Sequence, residues 1–254
     1  MFPSHVTVSR MRMSKSITFV LVHGAWHGGW AWKKVRALLG AAGHQVFTPT
    51  LTGLGERRHL ATRDIDLDTH VRDILGVLEY EDLQQVVLVG HSYAGMVVSA
   101  VAAEDSRRLA RLVYLDAFLP ENGRALIDYV PKMVASYEEA VVTRGDGWRL
   151  PFSSALSLEA LGVTDPSDIA WMGPRMDDQP YKTFCQPLIL PPDRAITVPC
   201  VYLLSSERPH YLAAADRAVQ RGFAIRKISC AGHDAMVTHP QEVADALVRA
   251  SANA

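Results

Sequence analysis

Between residues 85 and 103 the chain reads QVVLVGHSYAGMVVSAVAA. Its opening, through Val89, is an apolar, β-branched run of the kind that forms a strand covered on both faces. Its close, Met96 to Ala103, is a helix-length stretch of small residues. Between them Gly90-His91-Ser92-Tyr93-Ala94-Gly95 leaves room only for a tight turn. A strand that turns sharply into a helix lifts the apical side chain above the sheet edge, provided the flanking residues let backbone approach backbone. Gly90 and Ala94 flank Ser92, one methyl away from the usual pair of glycines, and Gly95 keeps the helix start slim. Ser92 is thus a candidate nucleophile, set against the plainer reading of a helix N-cap behind a buried strand.

The same alternation recurs outward from this turn. Ile17 to Val22, Gln45 to Phe47, Val86 to Val89, Leu109 to Leu115, Val198 to Leu204 and Ala224 to Ile228 read as buried strands. Trp30 to Ala42, Leu67 to Leu78, Ala94 to Ala103, Ala213 to Arg221 and Gln241 to Ala250 read as helices. Apolar strands alternating with amphipathic helices predict an α/β fold, a mainly parallel sheet with flanking helices and its ligand site beyond the carboxyl ends of the strands.

One stretch interrupts the pattern. From Pro120 to Ile196 no strong strand appears, and this span holds Pro120, Pro131, Pro151, Pro166, Pro174, Pro180, Pro187, Pro191 and Pro192 of the chain's 14 prolines. Prolines break long helices, so short helical pieces are expected. With Trp148, Trp171, Met172, Tyr181 and Phe184 to bury, residues 120–196 read as an inserted lid. The core is then 16–119 with 197–254, behind an N-terminal extension, 1–15.

The 254 residues suffice for one domain, at most two, and Lys plus Arg (26) nearly balances Asp plus Glu (27). Without a run of one sign, nucleic acid and anionic membranes are poor partners. Val86 to Ala103 has the length of a membrane span but carries His91, Ser92, Tyr93 and two glycines, so no membrane insertion is expected. Cys185, Cys200 and Cys230 offer neither a disulfide framework nor a zinc spacing. Residues 1–15 lack the apolar stretch of a secretory signal, so a cytoplasmic location is expected.

A serine nucleophile needs two backbone N–H donors aimed at the developing oxyanion. Tyr93, following the nucleophile, is one candidate, and Ala25, in the loop His23-Gly24-Ala25-Trp26-His27-Gly28-Gly29 after the first strand, is the other. His23 and His27 are four apart but sit in a glycine-rich loop with no accompanying carboxylate, so loop-shaping hydrogen bonds are expected of them rather than metal. The general base should follow a late strand at the same edge, where His233 stands behind the turn Cys230-Ala231-Gly232.

Five segments in this order, VHGAWHGGWAW, TLTGLGER, VLVGHSYAGM, LVYLDAFLP and GHDAMVTHP, resemble the α/β-hydrolase superfamily. Within it they are most similar to the branch holding plant methylesterases, salicylate-binding esterases and hydroxynitrile lyases with their bacterial relatives. The resemblance runs from Ile17 to Ala250, though residues 120–196 match only in length and character. It implies Ser92 as nucleophile, His233 as base and Ala25 with Tyr93 as oxyanion donors, and a lid that follows the strand the family counts as its sixth. The similar lyases carry threonine where Gly24 stands and, after the catalytic histidine, a cyanide-stabilising lysine where Asp234 stands, so the resemblance favours an esterase.

The acid departs from the family pattern. Arg208 occupies the column where aspartate is expected, and a guanidinium offers no acceptor to a histidine. Asp116, at the carboxyl end of Leu109 to Leu115, and Glu207 are the two alternatives. A carboxylate behind an apolar strand is costly to bury without a partner, which favours Asp116. The sequence therefore predicts a serine carboxylesterase for a small to medium, mainly apolar ester, needing no cofactor or metal. Gly24, Trp26, Phe118, Trp148 and Trp171 are the expected substrate contacts. The rivals are a cyanohydrin lyase and a non-catalytic ligand receptor. The partner is a small-molecule ester, and pairing as a homodimer stays open.

Overall fold

Six parallel strands make one sheet: β1 (Thr18–Val22), β2 (Gln45–Phe47), β3 (Val86–His91), β4 (Leu109–Leu115), β5 (Cys200–Leu204) and β6 (Ala224–Lys227), in the order β2-β1-β3-β4-β5-β6. The computed structural model describes residues 16–190, 196–229 and 232–252. The expected extension 1–15, together with Pro191, Pro192, Cys230 and Ala231, lies outside them.

The registers decide where a site can form. Val22 pairs with Gly90, His91 with Leu115, and Leu115 with Leu203. β1, β3, β4 and β5 therefore end almost level, and the residues that follow them emerge along one edge. The sheet order reverses between β1 and β3, so the connections after these two strands leave to opposite sides and open a crevice between them.

Seven longer helices are labelled α1 (Lys33–Ala41), α2 (Leu67–Tyr80), α3 (Ala94–Glu104), α4 (Val134–Arg144), α5 (Pro166–Met172), α6 (Pro209–Gln220) and α7 (Pro240–Ala252). Two apolar clusters fill the sheet's two faces. α2, α3 and α6 cover one, α1 and α7 the other. α2 shows why: Leu67, Val71, Ile74 and Leu78 line its buried stripe, and Asp66 and Thr69 close its first turn as a capping box. In α3 every residue from Ala94 to Ala103 is buried, so its small side chains let neighbours close in on all sides.

Two helix starts and one added ladder differ from the sequence reading. The first helix opens with a 3-10 turn, Gly29–Trp32. α6 begins a turn earlier than Ala213, with Pro209 in the first helical position, where a missing N–H is harmless. Residues 120–190 contain α4 and α5 among shorter turns, and also a two-residue antiparallel ladder between Arg149–Leu150 and Gln179–Pro180, too short to show alternation in the sequence.

Candidate active site

Ser92 has φ of +56°, the left-handed conformation that a non-glycine residue adopts at a cost of about 1–2 kcal/mol. Close packing holds it there. A Cβ at Gly90 would lie 2.7 Å from Val98 and 2.8 Å from the Ala94 carbonyl oxygen, and a Cβ at Gly95 would lie 1.9 Å from the Phe118 carbonyl oxygen. The serine's own carbonyl accepts N–H bonds from Gly95 and Phe118 at 3.1 and 3.0 Å. Ala94 keeps its methyl without exposure, so the positions that need glycine in this elbow are Gly90 and Gly95.

Asp116 follows β4 with φ of +42° and is fully buried. One of its oxygens accepts the N–H groups of Ser205 and Ser206, each at 3.1 Å, and the other accepts the Ser206 hydroxyl and His233 Nδ1, the latter at 2.8 Å. Burial raises its pKa, but the His233 hydrogen bond and charge and the two serines outweigh that and hold the carboxyl below its ordinary range. Glu207 is exposed beside this cluster and makes no hydrogen bond to His233. The structure thus brings Asp116, not Glu207, to the imidazole.

Ser92 and His233 do not bond directly. The hydroxyl of Tyr211, in the first turn of α6, stands 3.1 Å from Ser92 Oγ and 3.2 Å from His233 Nε2. Its ring lies flat on the imidazole, with centroids 4.6 Å apart and 9° between planes. Sequence reading missed this residue because it placed the helix start beyond it, although Pro209 signals the earlier start.

On the other side of Ser92, the N–H groups of Ala25 and Tyr93 have no acceptor among the described residues, as an oxyanion site requires. The Tyr93 side chain is tied down through His70, whose Nδ1 takes the phenol hydrogen at 2.9 Å. His23 bonds the Gly24 carbonyl and the Leu51 N–H, while His27 bonds the Ala25 carbonyl at 2.7 Å and Asp234 at 3.2 Å. Burial alone would lower the His27 pKa, but the Asp234 charge raises it. Asp234, pushed up by burial, is brought down to about 2 by His27. A buried ion pair thus fixes the carbonyl side of the oxyanion loop. His91, His233 and Asp234 lie close enough to share a cation, but both nitrogens of His233 are engaged and Asp234 is held by His27.

The site opens into a cavity of about 30 Å³ lined by Trp26, Phe118 and, from the inserted segment, chiefly Val130, Met133, Tyr137 and Phe184. Trp26 also ties the oxyanion loop to that segment, its backbone N–H on Gln179 and its indole N–H on the Leu150 carbonyl. Gly24 lies behind Ser92 rather than on the cavity wall: a Cβ there would sit 2.8 Å from the serine Cβ. Trp148 and Trp171 do not reach the cavity. Trp148 stacks on Arg149, and Trp171 packs edge-on against Trp30, with Lys34 and Arg175 over its faces. The segment also reaches His233 directly, since the Leu161 carbonyl accepts the N–H groups of both His233 and Asp234.

A family model described as the alpha/beta hydrolase family matches residues 19–246, and the chain belongs to that family. It is a carboxylic ester hydrolase, as its esterase relatives show. One is the carbendazim hydrolyzing esterase of Nocardioides sp. (strain SG-4G), 39% identical over 241 residues that cover 90% of this chain and 97% of that one. Another is methylesterase 1 of Arabidopsis thaliana, 35% identical over 106 residues, 41% of this chain and 40% of the other. Among solved structures, an extracellular alpha/beta-hydrolase from a Paenibacillus species superposes with a TM-score of 0.81 at 22% identity, over 93% of this chain and all of that one, and so shares its fold.

Proposed function

We propose that the protein hydrolyses a small to medium, mainly apolar carboxylic ester through an acyl-enzyme on Ser92, and that residues 120–196 act as its lid. The observation that carries this reading is the convergence at one strand edge of a serine on a left-handed backbone, two backbone N–H donors unpaired among the described residues and an imidazole backed by a buried carboxylate. Ser92 Oγ attacks the ester carbonyl, and its proton passes to His233. Asp116 holds the imidazole in the Nδ1–H tautomer and stabilises the imidazolium, while the N–H groups of Ala25 and Tyr93 receive the oxyanion. The alcohol leaves with a proton from His233. Water, activated by the same imidazole, then releases the acid.

The apolar wall and the named activities of the relatives support an apolar ester as substrate. A cavity of about 30 Å³ holds roughly two water molecules, so an acyl group enters only when the covering segment gives way. A lyase reading is disfavoured because Asp234, buried in its pair with His27, offers no positive charge beside the base. The test is a panel of p-nitrophenyl and methyl esters of graded acyl size, with S92A as control. Burst release of p-nitrophenol that S92A abolishes supports the serine mechanism. Cyanide release from mandelonitrile without ester turnover would replace it, and binding without a burst would leave a receptor.

A further inference from the structure

The hydroxyl of Tyr211 has two partners, Ser92 Oγ and His233 Nε2, and which atom donates to which can be worked out from the far end. Asp116 is a carboxylate, its charge favoured by His233 and by the serine donors around it, so it can only accept. The hydrogen between it and His233 therefore belongs to Nδ1, and in the neutral form in which it serves as general base the imidazole presents a bare lone pair at Nε2. Tyr211 must then donate to Nε2. The phenol oxygen still offers a lone pair to Ser92 Oγ, which has no other hydrogen-bond partner among the described residues and donates to it. Every hydrogen from Ser92 to Asp116 points the same way.

Resting on the serine reading above, we propose that Tyr211 is a catalytic residue of this enzyme, passing the Ser92 proton to His233 through its own hydroxyl. As Oγ bonds to the carbonyl carbon, the π pair moves onto the carbonyl oxygen, the serine proton moves to the tyrosine oxygen and the tyrosine proton moves to Nε2. Tyrosine is neutral before and after. On collapse the electron pair returns and the bond to the alcohol breaks with its pair on the leaving oxygen, while the Nε2 proton moves to the tyrosine oxygen and the tyrosine proton moves to the leaving oxygen. No other reactant is needed.

The packing suits a relay, which fails if its middle member wanders. The Tyr211 ring is clamped between the His233 imidazole and the edge of Phe118, 5.4 Å away, with His210 at 4.1 Å. Its backbone lies in the first turn of α6, and the residue is buried. Burial and the nearby Asp116 raise its pKa, which keeps the hydroxyl protonated for donation.

The test is Tyr211→Phe, which keeps the ring stack and deletes one oxygen. Burst-phase acylation by p-nitrophenyl acetate is followed in mixtures of H₂O and D₂O for wild type, Y211F and S92A. The expected result is an acylation rate at least about 100-fold lower in Y211F, the scale of one lost proton-transfer step. Its isotope dependence should lose one proton in flight relative to wild type. Y211F within threefold of wild type, or faster, would overturn the relay and make the hydroxyl a spacer or a block. So would a wild-type rate linear in deuterium fraction, a result that needs no folded variant. Full hydrolysis by S92A would sink the serine mechanism itself, an outcome distinct from failure of the relay alone.

Discussion

Asp116 and His233, 117 positions apart in sequence, meet at 2.8 Å through a carboxylate that three serine donors have already oriented. Asp116→Asn keeps the shape but offers an amide where the imidazole needs a charged acceptor. The expected loss in kcat is about 10³–10⁴-fold, whereas Glu207→Gln, altering an exposed side chain, should stay within about twofold. Steady-state kinetics on one ester decide between them, and the opposite ranking would move the acid to Glu207.

Gly24→Ala places a methyl 2.8 Å from the Ser92 Cβ and 2.9 Å from His91 Nδ1, both in buried residues. Overpacking of this kind costs about 1–3 kcal/mol. Because the displaced atom carries the nucleophile, kcat should fall more than thermal stability does. Paired melting and turnover measurements read the two effects separately.

Gly95→Ala should be the most damaging single methyl in the elbow, since its Cβ would lie 1.9 Å from the Phe118 carbonyl oxygen. Little or no folded protein is expected. Ala94→Gly, one residue earlier, should cost only about 0.5–1 kcal/mol of helix stability and retain activity. Soluble yield and circular dichroism of the two variants test the contrast.

Asp234 and His27 give stability a defined pH window. Asp234, with its carboxyl at about 2 against an ordinary 3.8, contributes stability above pH 3.8 that disappears as pH falls toward 2. His27, raised above 6.5, contributes stability below pH 6.5 that disappears as pH climbs through its folded pKa. Between these limits the pair is fully charged. Asp234→Asn should cost about 3–5 kcal/mol near pH 5 and flatten the profile at both ends. A Tm series from pH 3 to 9 checks it.

Met133→Ala removes a half-buried side chain from the cavity wall. The ratio of kcat/KM for hexanoyl over acetyl esters should rise roughly tenfold, the worth of one or two methylenes in an apolar pocket. An unchanged ratio would place the acyl group elsewhere.

The strands were legible because chains buried on both faces must be apolar throughout, and the level ends of β1, β3 and β4 then bring Ala25, Ser92 and Asp116 to one edge. Tyr211 was not legible from periodicity, which starts only at Ala213. The signal for it was Pro209, whose place at the head of α6 puts the tyrosine within the first turn. The covering segment was harder still. Trp148 and Trp171 are aromatic residues in the right stretch, but they pack on cationic and aromatic neighbours away from the cavity. Met133 and Tyr137, which do face the cavity, lie near or within an ordinary-looking helix.

The Leu161 carbonyl has a consequence of its own. Since it grips the backbone of both His233 and Asp234, the proposed lid cannot hinge open at that corner without slackening the imidazole's mooring. On the proposed reading, substrate and product would instead pass by Val130 and Met133, two side chains of the cavity wall that hold neither His233 nor Asp234.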